Sequence, residues 1–544
     1  MTRGWRLNTG RTPFVCRGYV TVRPSWIRPL RHGHTYAAWI TDAVTDESGN
    51  RLARDADFER MLDADPPADD PLRRAWDTFA PLRDFLPELD DGGARIAGAT
   101  VFTTMGHNPV FPGLRDAVAA GNSAEWLDLA PCTDQPEGPC GRPCTTASDA
   151  FTEWHATVRL PRWQDGEPPR LDPDDGGRVR LDGDGRAIPN GHDDTCAILT
   201  IPTGDAPTSG WPLVLTAHGT GGGAGSHIAD GTAERLANAS VPLDTPPGTS
   251  ADDTDDNGTT DQDLPASPIA TLGFDGVLHH DRRNSDLDPD LLFFNPANPA
   301  AGRGNVEQGA GDLFALLDLL RSGPVHADGA DPIPVDPDRI AFLGHSQGAT
   351  VGAGFLAHTD DIAGAVLSGA AGGFALSLLH KTAPVDIAAG VAVLLQDTVH
   401  RDHHPVLHLL QTWIDPVDPL GLARHLARER LDDQAPVPLF VTFGLDDAYT
   451  PVPNQEALVS AAGLPVVSPS ALVPSGTSEV DAPARRMVRS GEDRVTAGTR
   501  AYQPDGYDGH FVAFRHPVAT LDVVNFLVSA LAGDAIIGGT PGED

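Results

Sequence analysis

Lysine is almost missing from this chain: Lys381 is the only one in 544 residues, and arginine supplies nearly all the positive charge. Asp and Glu total 76 against 39 for Lys and Arg, a net charge of −37. A surface this acidic repels phosphate backbones and anionic membrane faces, which argues against a nucleic-acid partner. Codon bias, solubility or adaptation to salt each account for such a composition without a functional role.

A long apolar run is also missing. The stretch from Ile362 to Leu379 carries no charge, but Gly364, Gly369, Gly372, Gly373, Ser368 and Ser377 break it. A buried strand leading into a Gly-rich turn explains it better than a membrane span. Met1–Gly10 has Arg3 and Arg6 but no apolar core, so it does not read as a signal peptide. Cysteine is scarce, with five in all. Cys132, Cys140 and Cys144 cluster, while Cys16 and Cys196 stand apart. No Cys-x-x-Cys pair occurs, so disulfides are preferred over zinc.

What is present suffices for a large core: 40% of residues are hydrophobic and 6% aromatic. The 58 glycines and 49 prolines predict long loops and linkers. At roughly 100–200 residues per domain, the length allows two to four domains. Residues 1–105 read as a small β-rich module. Thr35–Thr41 and Ala99–Thr104 have strand composition, and Leu72, Ala75, Trp76 and Phe79 form one helix face behind Asp70 and Pro71. Residues 106–195 read as a connecting segment holding the cysteine cluster and a few strands.

From 196 to 544 strands alternate with helices. Strands are predicted at Cys196–Ile201, Pro212–Ala217, Ala270–Phe274, Arg339–Leu343, Ala363–Leu367 and Pro438–Phe443. A helix carries Leu313, Leu316, Leu317 and Leu320, and another spans Val518–Leu531. Such alternation predicts an α/β fold with a mostly parallel sheet flanked by helices. Residues 374–434 have helical character and are expected to form a lid insertion.

Gly344-His345-Ser346-Gln347-Gly348 follows a predicted strand and precedes a run of small residues. This is the context of a nucleophile elbow: the serine sits on a strained turn, so the residues two away must be small. His218-Gly219-Thr220-Gly221-Gly222-Gly223 follows the strand ending at Ala217. Its backbone N–H groups near Gly219 or Thr220, with that of Gln347, are candidate oxyanion donors. Asp447, in Gly444–Pro451, is the candidate acid, with Asp446 in reserve. His510 is the candidate base, with His516 as competitor. Ser346, Asp447 and His510 occur in the order Ser, Asp, His that this chemistry uses on such a sheet. The triad needs no cofactor. Asp253, Asp255, Asn257 and Asp261 fit the first nine positions of an EF-hand calcium loop, but position twelve is Leu264. A structural calcium site and a plain solvated acidic loop both remain open there.

These motifs resemble the α/β-hydrolase superfamily, and within it exported bacterial lipases and esterases. The spacing from Asp447 to Thr450 and Pro451 is similar to a pattern of related hydrolases. Residues 36–52 and Val101–Thr104 resemble the Ig-like N-terminal module of some bacterial lipases. The resemblance implies a serine esterase acting on lipid-like esters or on a polyester, in a periplasmic, surface or extracellular location. It also implies further strands and an export signal upstream of Met1, as a misplaced start codon would produce; with a correct start, the chain would be cytoplasmic. A peptidase is less favoured, because no propeller-like repeats precede the hydrolase region. A non-catalytic surface binding protein on the same fold is the alternative of a different class.

Overall fold

The computed structural model describes residues 3–68, 70–132, 137–145, 148–242, 266–326, 331–396 and 401–539. Two compact units are present. One is Leu30–His107; the other joins Met1–Pro29 to Asn108–Asp544.

An eleven-stranded sheet carries the larger unit. Its strands are β1 (Glu125–Pro131), β2 (Phe151–Pro161), β3 (His192–Pro202), β4 (Trp211–Ala217), β5 (Ala270–Phe274), β6 (Val335–His345), β7 (Gly364–Ser368), β8 (Leu439–Gly444), β9 (Val466–Ser468), β10 (Glu479–Asp481) and β11 (Ala497–Tyr502). They lie in the order β10-β9-β11-β8-β7-β6-β4-β5-β3-β2-β1. Pairings from β5 through β4, β6, β7, β8 and β11 to β9 and β10 are parallel, while β3 runs antiparallel to both β5 and β2.

The central strands are apolar because both their faces are covered. Every residue of β4, β5, β7 and β8 is buried, as a parallel sheet packed on both sides requires. Side chains alternate between faces. Leu213, Leu215 and Phe342 enter the core shared with α1 (Pro299–Arg321) and α2 (Gln347–Leu356). Val214, Ala341 and Leu343 enter a second core with Phe526 and Leu527 of the C-terminal helix Pro517–Leu531. Counted from β2 to β8 and then β11, eight strands lie with only the third and fourth exchanged. This order, with a strand–turn–helix elbow after the fifth, is the α/β-hydrolase fold.

Residues 106–195 are not a connector. They supply β1, β2 and the start of β3, and a helix (Val110–Ala119) whose Phe111 and Leu114 are fully buried in the main core. The first 29 residues also belong with the hydrolase body. Arg3–Asn8 pairs antiparallel with Tyr19–Pro24, and Arg23 lies 3.2 Å from Asp402.

The smaller unit pairs Thr35–Thr41 antiparallel with Ile96–Thr103 and carries helices Ala56–Leu62, Asp70–Thr78 and Ala80–Phe85. Arg54 ties its parts together by donating to the carbonyls of Gly93, Ala94 and Ile96. Among the described residues it contains one two-stranded ladder with helices, not the two packed sheets that an Ig-like module implies.

Between β7 and β8 lie helices Phe374–His380, Ile387–Leu395, Pro405–Ile414 and Pro419–Leu422. No single helix among the described residues is long and apolar enough to cross a membrane.

Candidate active site

The strand β6 ends at His345 and α2 begins at Gln347, so Ser346 alone makes the turn between them. Its backbone sits at φ 55° and ψ −112°, a region an L-residue adopts only when its surroundings impose it. Those surroundings are tight. A Cβ on Gly348 would lie 2.0 Å from the Ala217 carbonyl oxygen, and one on Gly344 would lie 2.7 Å from that of Gly348. Gly348 N–H donates to His218 O at 3.1 Å and Ser346 N–H to Ser368 O at 2.9 Å. Ser346 Oγ makes no hydrogen bond among the described residues, so no partner fixes its rotamer.

Asp447 follows β8 and is almost fully buried. Its Oδ1 accepts the N–H groups of Tyr449 (2.9 Å) and Thr450 (2.7 Å). Its Oδ2 accepts from Thr450 Oγ1 (2.7 Å), Gln455 Nε2 (3.0 Å) and His510 Nδ1 (2.9 Å). Five donors hold this carboxyl group in one orientation. His510, 3% exposed, stacks on Tyr449 with ring centroids 4.9 Å apart. Its other nitrogen is left for the cavity, where His510 and Ser346 are both lining residues.

The competitors are elsewhere. Asp446 accepts from Gln503 at 3.0 Å on the surface, and His516 caps the last helix by accepting the Ala519 N–H.

Gly219 packs against Ser346, with a Cβ there only 3.0 Å from Ser346 Cβ. Thr220 Oγ1 donates to Gln347 Oε1 at 2.8 Å, tying the Gly-rich loop to the first residue of α2. No acceptor among the described residues takes the N–H groups of Gly219 or Thr220. That of Gln347 opens the helix and has no preceding turn to bond. These three backbone N–H groups thus lie on the loop that packs against Ser346 and on the residue that follows it. Burial pushes the pKa of His345 well below the usual imidazole value, with His510 adding to the effect, so a neutral ring lies beneath the elbow.

The cavity over Ser346 measures about 1380 Å³. Val391, Leu394, Leu410, Trp413 and Ile414, from the helical stretch within 374–434, line it. The chain's one lysine also lines it. Lys381 Nζ lies 3.8 Å from Asp290 and 5.5 Å from the Phe294 ring centroid. Burial raises the pKa of Asp290, and Lys381 opposes that rise. Nothing in the sequence marks Lys381, Tyr449 or Gln455 as site residues, since each reaches the site only through the fold.

Cys132 bonds to Cys144, and Cys140 to Cys196, leaving Cys16 exposed and free. Cys132, Cys144 and His155 offer ligand atoms within 4.8 Å of one another, but the two sulfurs are spent on each other. Asp253, Asp255, Asn257 and Asp261, the expected calcium ligands, lie outside the described residues.

No protein-family model and no curated protein matches the sequence. Solved structures of similar shape include an acetyl xylan esterase from a Paenibacillus species (13% identity, 77% of this chain and 93% of that one, TM-score 0.40). Others are a glucuronoyl esterase from Teredinibacter turnerae (13%, 77% and 83%, TM-score 0.36) and a peroxisomal alpha-beta-hydrolase from Saccharomyces cerevisiae (10%, 73% and 94%, TM-score 0.34). Likeness at this level carries no inference about substrate. Strand order and the elbow define the class: an α/β-hydrolase fold with a serine elbow opening on a large, mainly apolar cavity.

Proposed function

We propose that this chain hydrolyses carboxylic esters with Ser346 as nucleophile, His510 as general base and Asp447 as the group that orients and stabilises the imidazolium. The observation that carries the reading is the Asp447–His510 contact at 2.9 Å, at the cavity that Ser346 also lines. His510 Nε2 takes the Ser346 hydroxyl proton as Oγ bonds to the ester carbonyl carbon, and the carbonyl π electrons move to oxygen. The N–H groups of Gly219 or Thr220 and of Gln347 hold that oxyanion. Its collapse breaks the carbon–alkoxy bond, and His510 returns the proton to the departing alcohol. Water then attacks the acyl-enzyme by the same route, releasing the acid. The apolar cavity suits an acyl chain, and the helices of 374–434 act as its lid.

A second reading, a polyester depolymerase, draws support from the cavity rim. Leu394 and Trp413 line the cavity while 64% and 50% exposed, and Val393 and Leu409, next in the chain to the lining residues Leu394 and Leu410, are 78% and 72% exposed, which suits a substrate presented as a surface. Two disulfides support an oxidising, exported location.

Hydrolysis of p-nitrophenyl esters from acetate to palmitate, wild type beside Ser346→Ala, tests the proposal. Turnover abolished by the substitution supports it; turnover that survives in the variant overturns it.

A further inference from the structure

The segment that follows β5 and the Gly-rich loop are tied together by two histidines, one on each. His279, 1% exposed, lies in the turn after β5. Its Nδ1 is 2.9 Å from Val277 O, an acceptor only, so Nδ1 carries the proton and Nε2 is bare. That bare nitrogen accepts the N–H of Gly221 at 2.9 Å. The exchange is mutual. His218, on the Gly-rich loop, places Nδ1 2.7 Å from Gly219 O and accepts the Gly276 N–H on Nε2 at 3.0 Å. The rings meet edge to face, with centroids 4.8 Å apart and planes at 72°.

A buried histidine with both nitrogens bonded often does no more than fill a core. Two features set this one apart. Its neighbours Leu278 and His280 are both left-handed, at φ 59° and 46°, strain that persists only where the surroundings over-determine it. Its partner Gly221 is itself at φ 84°, the pivot of the turn that presents Gly219 and Thr220 to Ser346. The loop is anchored from behind: Arg282 lies 2.7 Å from the fully buried Asp312, and Asp275 Oδ1 accepts the Ala224 N–H at 2.8 Å.

We infer that His279 is a positioning residue for the oxyanion hole, fixing through the Gly221 N–H the direction in which the Gly219 and Thr220 N–H groups point. It touches no substrate and acts only on where charge develops in the transition state. Both rings must stay neutral to accept an N–H. Burial, with His218 alongside, takes the His279 pKa down to about 3, and burial lowers that of His218 as well.

This inference rests on the esterase reading, and the experiment separates the two. Wild type, Ser346→Ala, His279→Leu and His279→Gln are assayed with p-nitrophenyl butyrate and with 1-butaneboronic acid, which forms a tetrahedral adduct on a serine. His279→Leu removes the acceptor, while His279→Gln keeps one near the Nε2 position. In His279→Leu, kcat is expected to fall by about tenfold or more with KM within about twofold. The boronate Ki should rise by the factor that kcat/KM loses, and His279→Gln should recover most of both. If His279→Leu does not fold, His279→Asn, whose amide is too short to reach Gly221, replaces it. An unchanged kcat, or equal losses in the Leu and Gln variants with an unchanged boronate Ki, overturns the inference while wild-type turnover stands. A wild type without turnover removes the esterase reading and this inference together.

Discussion

His510 Nδ1 lies 2.9 Å from Asp447 Oδ2 across 63 residues of chain, whereas Asp446, one peptide away, bonds Gln503 on the surface. The positive φ of Asp446 (58°) turns the two carboxylates apart. Asp447→Asn should therefore lower kcat by about 10⁴-fold, the scale seen when the orienting acid of such a triad is lost. Asp446→Asn should stay within a few-fold of wild type. Steady-state kinetics on one ester compares them, and equal losses would remove the distinction.

Trp413 and Leu410 line the cavity from the helix Pro405–Ile414. Trp413→Ala removes apolar contact from the far end of a long acyl chain and none from acetate. The kcat/KM for p-nitrophenyl palmitate should fall roughly 10- to 100-fold, equivalent to about 1–3 kcal/mol, with acetate turnover nearly unchanged. A uniform loss over all chain lengths would place Trp413 outside the acyl path.

His358, 2% exposed against Phe111, has its pKa lowered by burial to about 4. Above pH 6.5 neither the folded nor the unfolded chain holds a proton there, and His358 costs nothing. Between pH 6.5 and about 4 only the unfolded chain takes the proton, so the folded state loses about 1.4 kcal/mol per pH unit from this residue. Below about pH 4 the loss levels off. His358→Leu should thus gain stability relative to wild type as the pH drops from 6.5 to 4, read from urea unfolding. A stability difference independent of pH would contradict the buried neutral state.

The disulfide Cys140–Cys196 spans 56 residues and Cys132–Cys144 spans 12. In the chain-entropy model these closures contribute about 4 and about 3 kcal/mol. The double Ser variant of the first pair should unfold at lower urea than that of the second. The reverse order would mean that the longer bridge does not constrain the unfolded chain.

The strand–turn–helix geometry at Ser346 and the placing of Asp447 and His510 on loops that meet were marked in the sequence by local patterns, set by sterics or by the loop after a strand. Gly344 and Gly348 are small since their Cβ positions are occupied, and that need is written in five consecutive residues. The central strands were legible for a similar reason, being apolar throughout. What escaped was spread out or mixed. In β2, Glu153 and His155 pair with each other at 2.6 Å inside the body, and such a polar strand beside a cysteine cluster reads as a connector. In β11, Arg500 is buried against Asp522 at 2.7 Å, a pairing that local pattern hides. His279 and Gly221 are 58 residues apart, and only the parallel pairing of β4 with β5 brings the loops that follow them to the same end of the sheet. The smaller unit was misjudged because strand composition at Thr35–Thr41 and Ala99–Thr104 says nothing of how many partners a strand has.

The most direct test of the account is labelling with a fluorophosphonate, followed by peptide mass spectrometry. The predicted result is one adduct on the peptide containing Ser346, absent from Ser346→Ala and strongly slowed in His510→Ala. An adduct on another residue, or none on a folded protein, would contradict Ser346 as the nucleophile.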